Sequence, residues 1–191
     1  MLKKIGVMMA IFVITVSANI AISQYVHVTT IKNKNITVIL QEFSELSGDE
    51  FSNQEIEYFI DEGVKDQRVA VLKAFFRKYD SPLYEHADFI VKVSDEYGLD
   101  YRLIPAISMQ ESTACKFIPH NSYNCWGWGI YGDKITRFKS YPDAIETIAK
   151  GLKKNYIDKG LTTPEQIMAK YTPSSNGSWA RGVGHVLGVL E

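Results

Sequence analysis

Residues 99–129 read LDYRLIPAISMQESTACKFIPHNSYNCWGWG, an apolar run followed by one glutamate, a polar loop and a tryptophan–glycine cluster. The first part of this stretch predicts a helix from Tyr101 to Ser112. Its apolar side chains recur at spacings of three and four residues, as one helix face requires: Leu103, Ile104 and Ile107. Glu111 falls four residues after the last of them, so it lies on that same apolar face.

Two effects are expected to raise the pKa of Glu111. Burial disfavours the charged form, and the negative end of the helix dipole opposes a carboxylate in the last turn. A carboxylic acid that is still protonated near neutral pH can act as a general acid. Helix position alone, however, favours a structural glutamate paired with a lysine or arginine.

Pro105 lies one turn into this predicted helix, where it removes a backbone donor and crowds the carbonyl group four residues earlier. Either the first turn is kinked, or the helix begins near Arg102 with Asp100 as a possible cap. Glu111 keeps its helix face in both cases.

The chain has 191 residues, of which 46% are hydrophobic and 23% charged, so we expect one globular domain with accessory segments. Its net charge of −1 gives no argument for a nucleic-acid partner. The four histidines are scattered without the spacing of metal ligands, and no cofactor is implied.

Residues 1–23 are interpreted as a targeting segment, with Lys3 and Lys4 before an apolar run. The run suits either a cleaved signal peptide or a short membrane anchor, and both predict an extracytoplasmic protein. Residues 24–50 are interpreted as a connector and residues 51–191 as the folded domain.

The predicted domain is mainly α, with one small β-hairpin beside the helix that carries Glu111. Helices are predicted at 64–79, 81–97, 142–156 and 179–190, with a short one after the capping-box pattern Thr163–Gln166. The hairpin is predicted to start at Trp126 and to turn at Gly132-Asp133. Strand alternation would place Trp126 and Trp128 on one face, in a groove or in the core.

Cys115 and Cys125 are the only cysteines. An exported chain with an even number of cysteines predicts a disulfide, which would join the end of the helix to the tryptophan cluster. Two free buried thiols are the alternative.

Three segments carry a resemblance to a known family. LIPAISMQES resembles the catalytic-glutamate helix of the lysozyme-like superfamily, in which bacterial lytic transglycosylases and endo-β-N-acetylglucosaminidases end a helix with Glu-Ser. NSYNCWGWGIYG and FKSYPDAIETIAKGL resemble the glucosaminidase branch. The resemblance runs from about Ser81 to Trp179. The Gly-Leu-Met-Gln signature usual in transglycosylases does not follow the glutamate.

The resemblance implies an enzyme that cuts β-1,4-linked N-acetylated amino-sugar strands of peptidoglycan, with Glu111 as general acid and base. It implies that Tyr171 sits near the glutamate, with a tyrosine of the core as the alternative. It also puts Asp133 near the second acid of the family, although a Gly-Asp turn explains this aspartate without catalysis. Substrate contacts are expected from Ser112, Tyr123, Asn124, Trp126 and Trp128. A lytic transglycosylase and a non-catalytic glycan-binding or envelope-assembly module are the alternatives.

Overall fold

The computed structural model describes Thr15, residues 17–24 and residues 66–191. Thr15 and residues 17–24 are helical and exposed. No helix in these described ranges is both long and apolar enough to cross a membrane. The rest of the predicted targeting segment, the predicted connector after Gln24 and the first residues of the predicted domain lie outside the described residues.

Residues 66–191 are mainly helical, which confirms the mainly α prediction. Six α-helices follow one another: α1 (Gln67–Lys78), α2 (Ala87–Tyr97), α3 (Leu103–Ser112), α4 (Tyr141–Asn155), α5 (Pro164–Tyr171) and α6 (Ser178–Val189). Short 3-10 helices at Pro82–His86 and Ile157–Lys159 lead into α2 and follow α4. One apolar core is shared by all six helices.

Local signals fix where most of these helices begin and end. The Asp66 side chain accepts a hydrogen bond from the Arg68 backbone at the start of α1, and Ser140 caps α4 in the same way. The predicted capping box is present at the start of α5, where Thr163 and Gln166 satisfy each other's backbone. Gly98 ends α2 in the left-handed conformation.

Helix α3 begins at Leu103, two residues after the predicted start at Tyr101. This later start explains how the helix accommodates Pro105. The proline is the third residue of the helix, where a backbone N–H would have no intrahelical acceptor, so it removes no helical bond. The Asp100 carboxylate accepts a hydrogen bond from the Arg102 backbone just before the start. Ile104 and Ile107 are fully buried.

The helices pack as two groups that meet at α3. Helix α4 packs mainly on α2, and α1 covers α2 and the first 3-10 helix. Helix α6 packs on α3 and on α5. Where α6 crosses α3, the Gln110 side chain lies over Gly182, and a Cβ there would lie 1.8 Å from the Gln110 Oε1 atom. This crossing brings α5 and α6 beside the end of α3.

The predicted β-hairpin is corrected to a single turn. Gly132 and Asp133 do form a two-residue turn, but only Tyr131 and Lys134 pair across it, and the described residues contain no strands. Gly127, Gly129 and Gly132 all have positive φ angles, which interrupt an extended backbone. Strand alternation therefore does not govern the two tryptophans of this segment.

Candidate active site

Glu111 is the next-to-last residue of α3, at the point where the buried face of the helix reaches the surface. The Trp179 indole N–H donates a hydrogen bond to Glu111 Oε1 at 2.6 Å. The other oxygen, Oε2, faces Gly127, where an added Cβ would lie only 3.0 Å away. The carboxyl group is thus set between an indole on α6 and a glycine backbone.

As a whole residue Glu111 is exposed, while its hydrogen bond to Trp179 is partly buried. Protein atoms on its inner side still displace water, and this partial desolvation raises the pKa of Glu111. The hydrogen bond from Trp179 acts in the opposite direction and is the smaller effect. No lysine or arginine among the described residues pairs with Glu111, so the predicted structural ion pair is absent there.

Trp179 is the site residue that the sequence did not reveal. It lies 68 positions after Glu111, near the start of α6, and its ring is buried. Its indole nitrogen can only donate, so it suits a carboxyl oxygen that carries no proton. A tryptophan at the start of an apolar helix predicts core packing, and no sequence spacing links it to Glu111.

Tyr171, the last residue of α5, joins this group through its ring and its hydroxyl. The ring stacks on Trp179 with centroids 5.2 Å apart, and the hydroxyl donates to the Trp126 carbonyl at 2.5 Å. Burial, with a smaller contribution from the charge of Glu111, raises the pKa of Tyr171 well above its usual value. The phenol therefore remains neutral and holds the backbone next to Gly127.

The chain turns sharply straight after Glu111 and Ser112. Thr113, Ala114 and Cys115 all have positive φ angles, of 53°, 52° and 76°. Left-handed conformations cost non-glycine residues about 1–2 kcal/mol each. Such strain persists only where surrounding structure imposes it, and it clusters at functional sites.

A disulfide and one hydroxyl hold this turn in place. Cys115 and Cys125 form a disulfide across ten positions of sequence. The buried Ser112 hydroxyl lies 2.8 Å from the Cys125 carbonyl oxygen and accepts a hydrogen bond from the Cys115 backbone at 2.9 Å. Ser112 therefore links the end of α3 to the disulfide, and its hydroxyl group makes its hydrogen bonds within the protein.

Asn124 and Trp126 are also buried and bonded to backbone groups. The Asn124 amide donates to the carbonyl groups of Trp128 and Thr136 and accepts from the Trp128 N–H. The Trp126 indole donates to the Ile104 carbonyl of α3 at 2.9 Å. Asn124 and Trp126 were predicted as substrate contacts, but like Ser112 they have buried side chains that bond to the protein's own backbone.

A cleft of about 350 Å³ opens beside Gly127. Its aromatic walls come from three elements, and its lining residues are Gly127, Trp128, Gly129, Ile130, Tyr131, Asn155, Tyr156, Lys170 and Tyr171. Trp128 lies against Gly151 of α4, where an added Cβ would lie 2.4 Å from the indole ring. Glu111 is not itself one of the lining residues, but the lining residue Gly127 lies next to its carboxyl group, so the carboxyl group borders the cleft.

The two remaining predicted residues lie away from the lining of this cleft. Tyr123 packs edge-on against Tyr141, with ring centroids 5.0 Å apart. Asp133 is exposed at the turn between Tyr131 and Lys134. Across the described residues, no group of three histidine, cysteine or acidic side chains is arranged to hold a metal ion.

No protein-family model matches the chain, and no curated protein is significantly similar to it. The class that the described fold and site define is a mainly helical domain with one carboxyl group at the edge of an aromatic cleft. Its chemistry must be argued from that geometry.

Proposed function

We propose that this protein is a glycosidase that cleaves β-1,4-linked N-acetylated amino-sugar strands of peptidoglycan, of the endo-β-N-acetylglucosaminidase type. The observation that carries the proposal is the environment of Glu111. Its carboxyl group borders an aromatic cleft at the lining residue Gly127, has a raised pKa and is bonded to a neutral donor instead of a cation. A general acid at a sugar cleft needs these properties.

The geometry supports a specific path for the proton. Since the Trp179 indole donates to Oε1, the proton of the acid form sits on Oε2. That oxygen faces Gly127 and the cleft. In the proposed reaction Oε2 protonates the leaving glycosidic oxygen, and the resulting carboxylate then accepts a proton from the attacking group. Stacking on pyranose rings is assigned to Trp128 and Tyr131, which are both lining residues of the cleft.

The resemblance of residues 81–179 to the lysozyme-like superfamily supports the same proposal. It adds the substrate class, and it agrees with a mainly helical domain whose glutamate ends a helix. We propose that the domain is lysozyme-like, that it is extracytoplasmic, and that residues 1–23 export or anchor it in the membrane. No cofactor takes part in the proposed reaction.

A lytic transglycosylase is the second candidate, and one observation favours it. Hydrolysis by paired carboxylates needs a second acid about 5–10 Å from the first. The described residues that line the cleft include no acidic side chain; Glu111 lies beside the lining residue Gly127, whereas Asp133 is exposed at the turn. Two routes use Glu111 alone: assistance by the N-acetyl group of the substrate, and attack by the 6-hydroxyl of the sugar, which defines a transglycosylase.

Product analysis tests the proposal and separates the two candidates. The full-length chain is incubated with intact peptidoglycan, and the soluble products are identified by mass spectrometry. Reducing N-acetylglucosamine ends are expected for the glucosaminidase. Anhydromuramic ends would identify a transglycosylase. A folded protein that sediments with the wall and releases nothing would instead be a non-catalytic glycan-binding module.

Glu111→Gln tests the role of the carboxyl group directly. Turnover is expected to fall by about 10²–10⁴-fold, the usual contribution of a general acid, while the melting temperature and glycan binding stay close to wild type. Glu146→Gln, on the exposed side of α4, is the matched control and should retain full activity. Wild-type turnover by Glu111→Gln would refute the proposed mechanism.

A further inference from the structure

Lys170 is the one charged residue in the lining of the cleft, among the residues that the structure describes. It lies one position before Tyr171, near the end of α5, and its side chain is exposed. Its ammonium group donates to the Asn155 carbonyl at 2.9 Å and lies 5.1 Å from the centre of the Tyr156 ring. The ammonium group is therefore held at the wall of the cleft.

This ammonium group has hydrogen-bond donors that the described residues do not use. A lysine ammonium has three donors, and one of them is used by Asn155. No carboxylate of the described residues forms an ion pair with Lys170. The cleft lining contributes no negative charge. The positive charge is thus uncompensated where a substrate would bind.

We propose that Lys170 forms an anion subsite that binds a carboxylate on the sugar next to the bond that Glu111 cleaves. This inference rests on the proposed glycosidase function and names the substrate feature that the cleft selects. In peptidoglycan, a carboxylate is available from the lactyl group of the muramic sugar or from the attached peptide. Polymers of N-acetylglucosamine alone have neither. The subsite would therefore make the enzyme selective for acidic strands over neutral ones.

The test compares strands that differ only in charge. Peptide-free peptidoglycan strands carry free lactyl carboxylates, and reduction of these carboxyl groups to alcohols gives a neutral strand of the same length. The ratio of kcat/KM for the two strands is measured with the full-length protein. Intact peptide-bearing strands form a third arm, which separates a lactyl carboxylate from a peptide carboxylate.

The wild-type protein is expected to prefer one of the carboxylate-bearing strands about fivefold over the neutral strand, as one partly exposed charge pair allows. Lys170→Gln should bring this ratio close to one. Lys170→Arg should keep the preference, because it retains the charge. Lys150→Gln on the exposed side of α4 is the matched control and should leave the ratio unchanged. Added salt should reduce the wild-type preference.

The outcomes distinguish failure of the proposed anion subsite from failure of the proposed glycosidase function. If Lys170→Gln cleaves with the wild-type ratio, the anion subsite is wrong while the glycosidase stands. If the wild-type protein cleaves no strand, the proposed function fails and the subsite with it. Should Lys170→Gln not fold, the salt series decides, since a wild-type preference that does not change with salt overturns the subsite.

Discussion

The helices around the core and residues 113–139 keep their shapes in different ways. In α1, α2 and α4, stability is spread over many interlocking apolar side chains. Residues 113–139 contain no helix and only one bridge, and they are held by a disulfide and a few side-chain bonds to backbone groups. The difference predicts that residues 113–139 depend on a few individual bonds, so that a substitution that breaks one of them costs more than loss of a similar apolar volume from the helices.

The largest effect is expected for Trp126→Ala. This change removes a fully buried ring and leaves the Ile104 carbonyl without its partner, so the free energy of unfolding should fall by about 4 kcal/mol. Phe75→Ala in α1 is the control from the helical region, because it also removes a fully buried ring but leaves no carbonyl group without a partner, and it should cost about 3 kcal/mol. Urea unfolding measures both, and equal losses would remove the contrast between the two regions.

Loss of the disulfide between Cys115 and Cys125 should have the next largest effect. Opening a cross-link over ten positions should cost roughly 3 kcal/mol by the chain-entropy argument, which lowers the melting temperature by about 10 °C. Thermal melts with and without reductant measure this loss. The double variant Cys115→Ser, Cys125→Ser should not respond to reductant, and an unchanged wild-type melt would contradict the prediction.

Asn124→Ala should cost about 2 kcal/mol, because it leaves partly buried backbone groups of Trp128 and Thr136 without their partner. Activity should fall further than stability alone explains, since Trp128 lines the cleft. The exposed Glu146 on α4, changed to alanine, serves as the comparison and should lose less than about 0.5 kcal/mol. Chemical unfolding and peptidoglycan turnover are measured on both variants. If both variants lose equal stability and equal activity, the Asn124 amide does not hold residues 113–139 in place.

Trp179→Phe should have the smallest effect on stability, about 1 kcal/mol, because phenylalanine keeps much of the ring. The effect of Trp179→Phe on the pH dependence of kcat/KM is the more direct test of the proposed proton donor. The hydrogen bond from Trp179 lowers the pKa of Glu111, so its loss raises that pKa further. Glu111 then stays protonated to higher pH, and the basic limb of kcat/KM should move upward.

The pH dependence of kcat/KM on soluble glycan fragments measures this shift. Trp128→Phe is the matched control, because Trp128 makes no hydrogen bond to Glu111 and the limb should keep its position. A basic limb that stays in place in Trp179→Phe would mean that the indole does not act on the proton donor.

The helical part of the fold could be predicted because its signals are local. The capping box at Thr163, the glycine after α2 and the apolar spacing in α3 each depend on residues within about one turn of the helix. The exposed end of α3 at Glu111 was not predicted, since burial there depends on whether another element covers the helix end. None of the described elements does so completely.

Among the predicted substrate contacts, the sequence did not distinguish residues that line the cleft from residues that hold the backbone. Asn124 and Trp126 lie in a polar, aromatic stretch that suits sugar binding, but both are buried and hold the backbone. Trp128, two residues after Trp126, lines the cleft instead. The glycines between and after them set the direction of each ring through positive φ angles, which a strand pattern cannot represent.

By itself, the sequence determined the helices, their caps and the position of one glutamate at the end of an apolar helix. Those features follow from hydrogen bonds and side-chain contacts between residues three or four positions apart. The tertiary structure alone decided that Trp179, 68 positions away, donates to Glu111 and that Gly127 lies against its other oxygen. The packing of α6 against α3 creates the first contact, and the fold of residues 113–139 creates the second. Both depend on the whole core, so no local pattern encodes them.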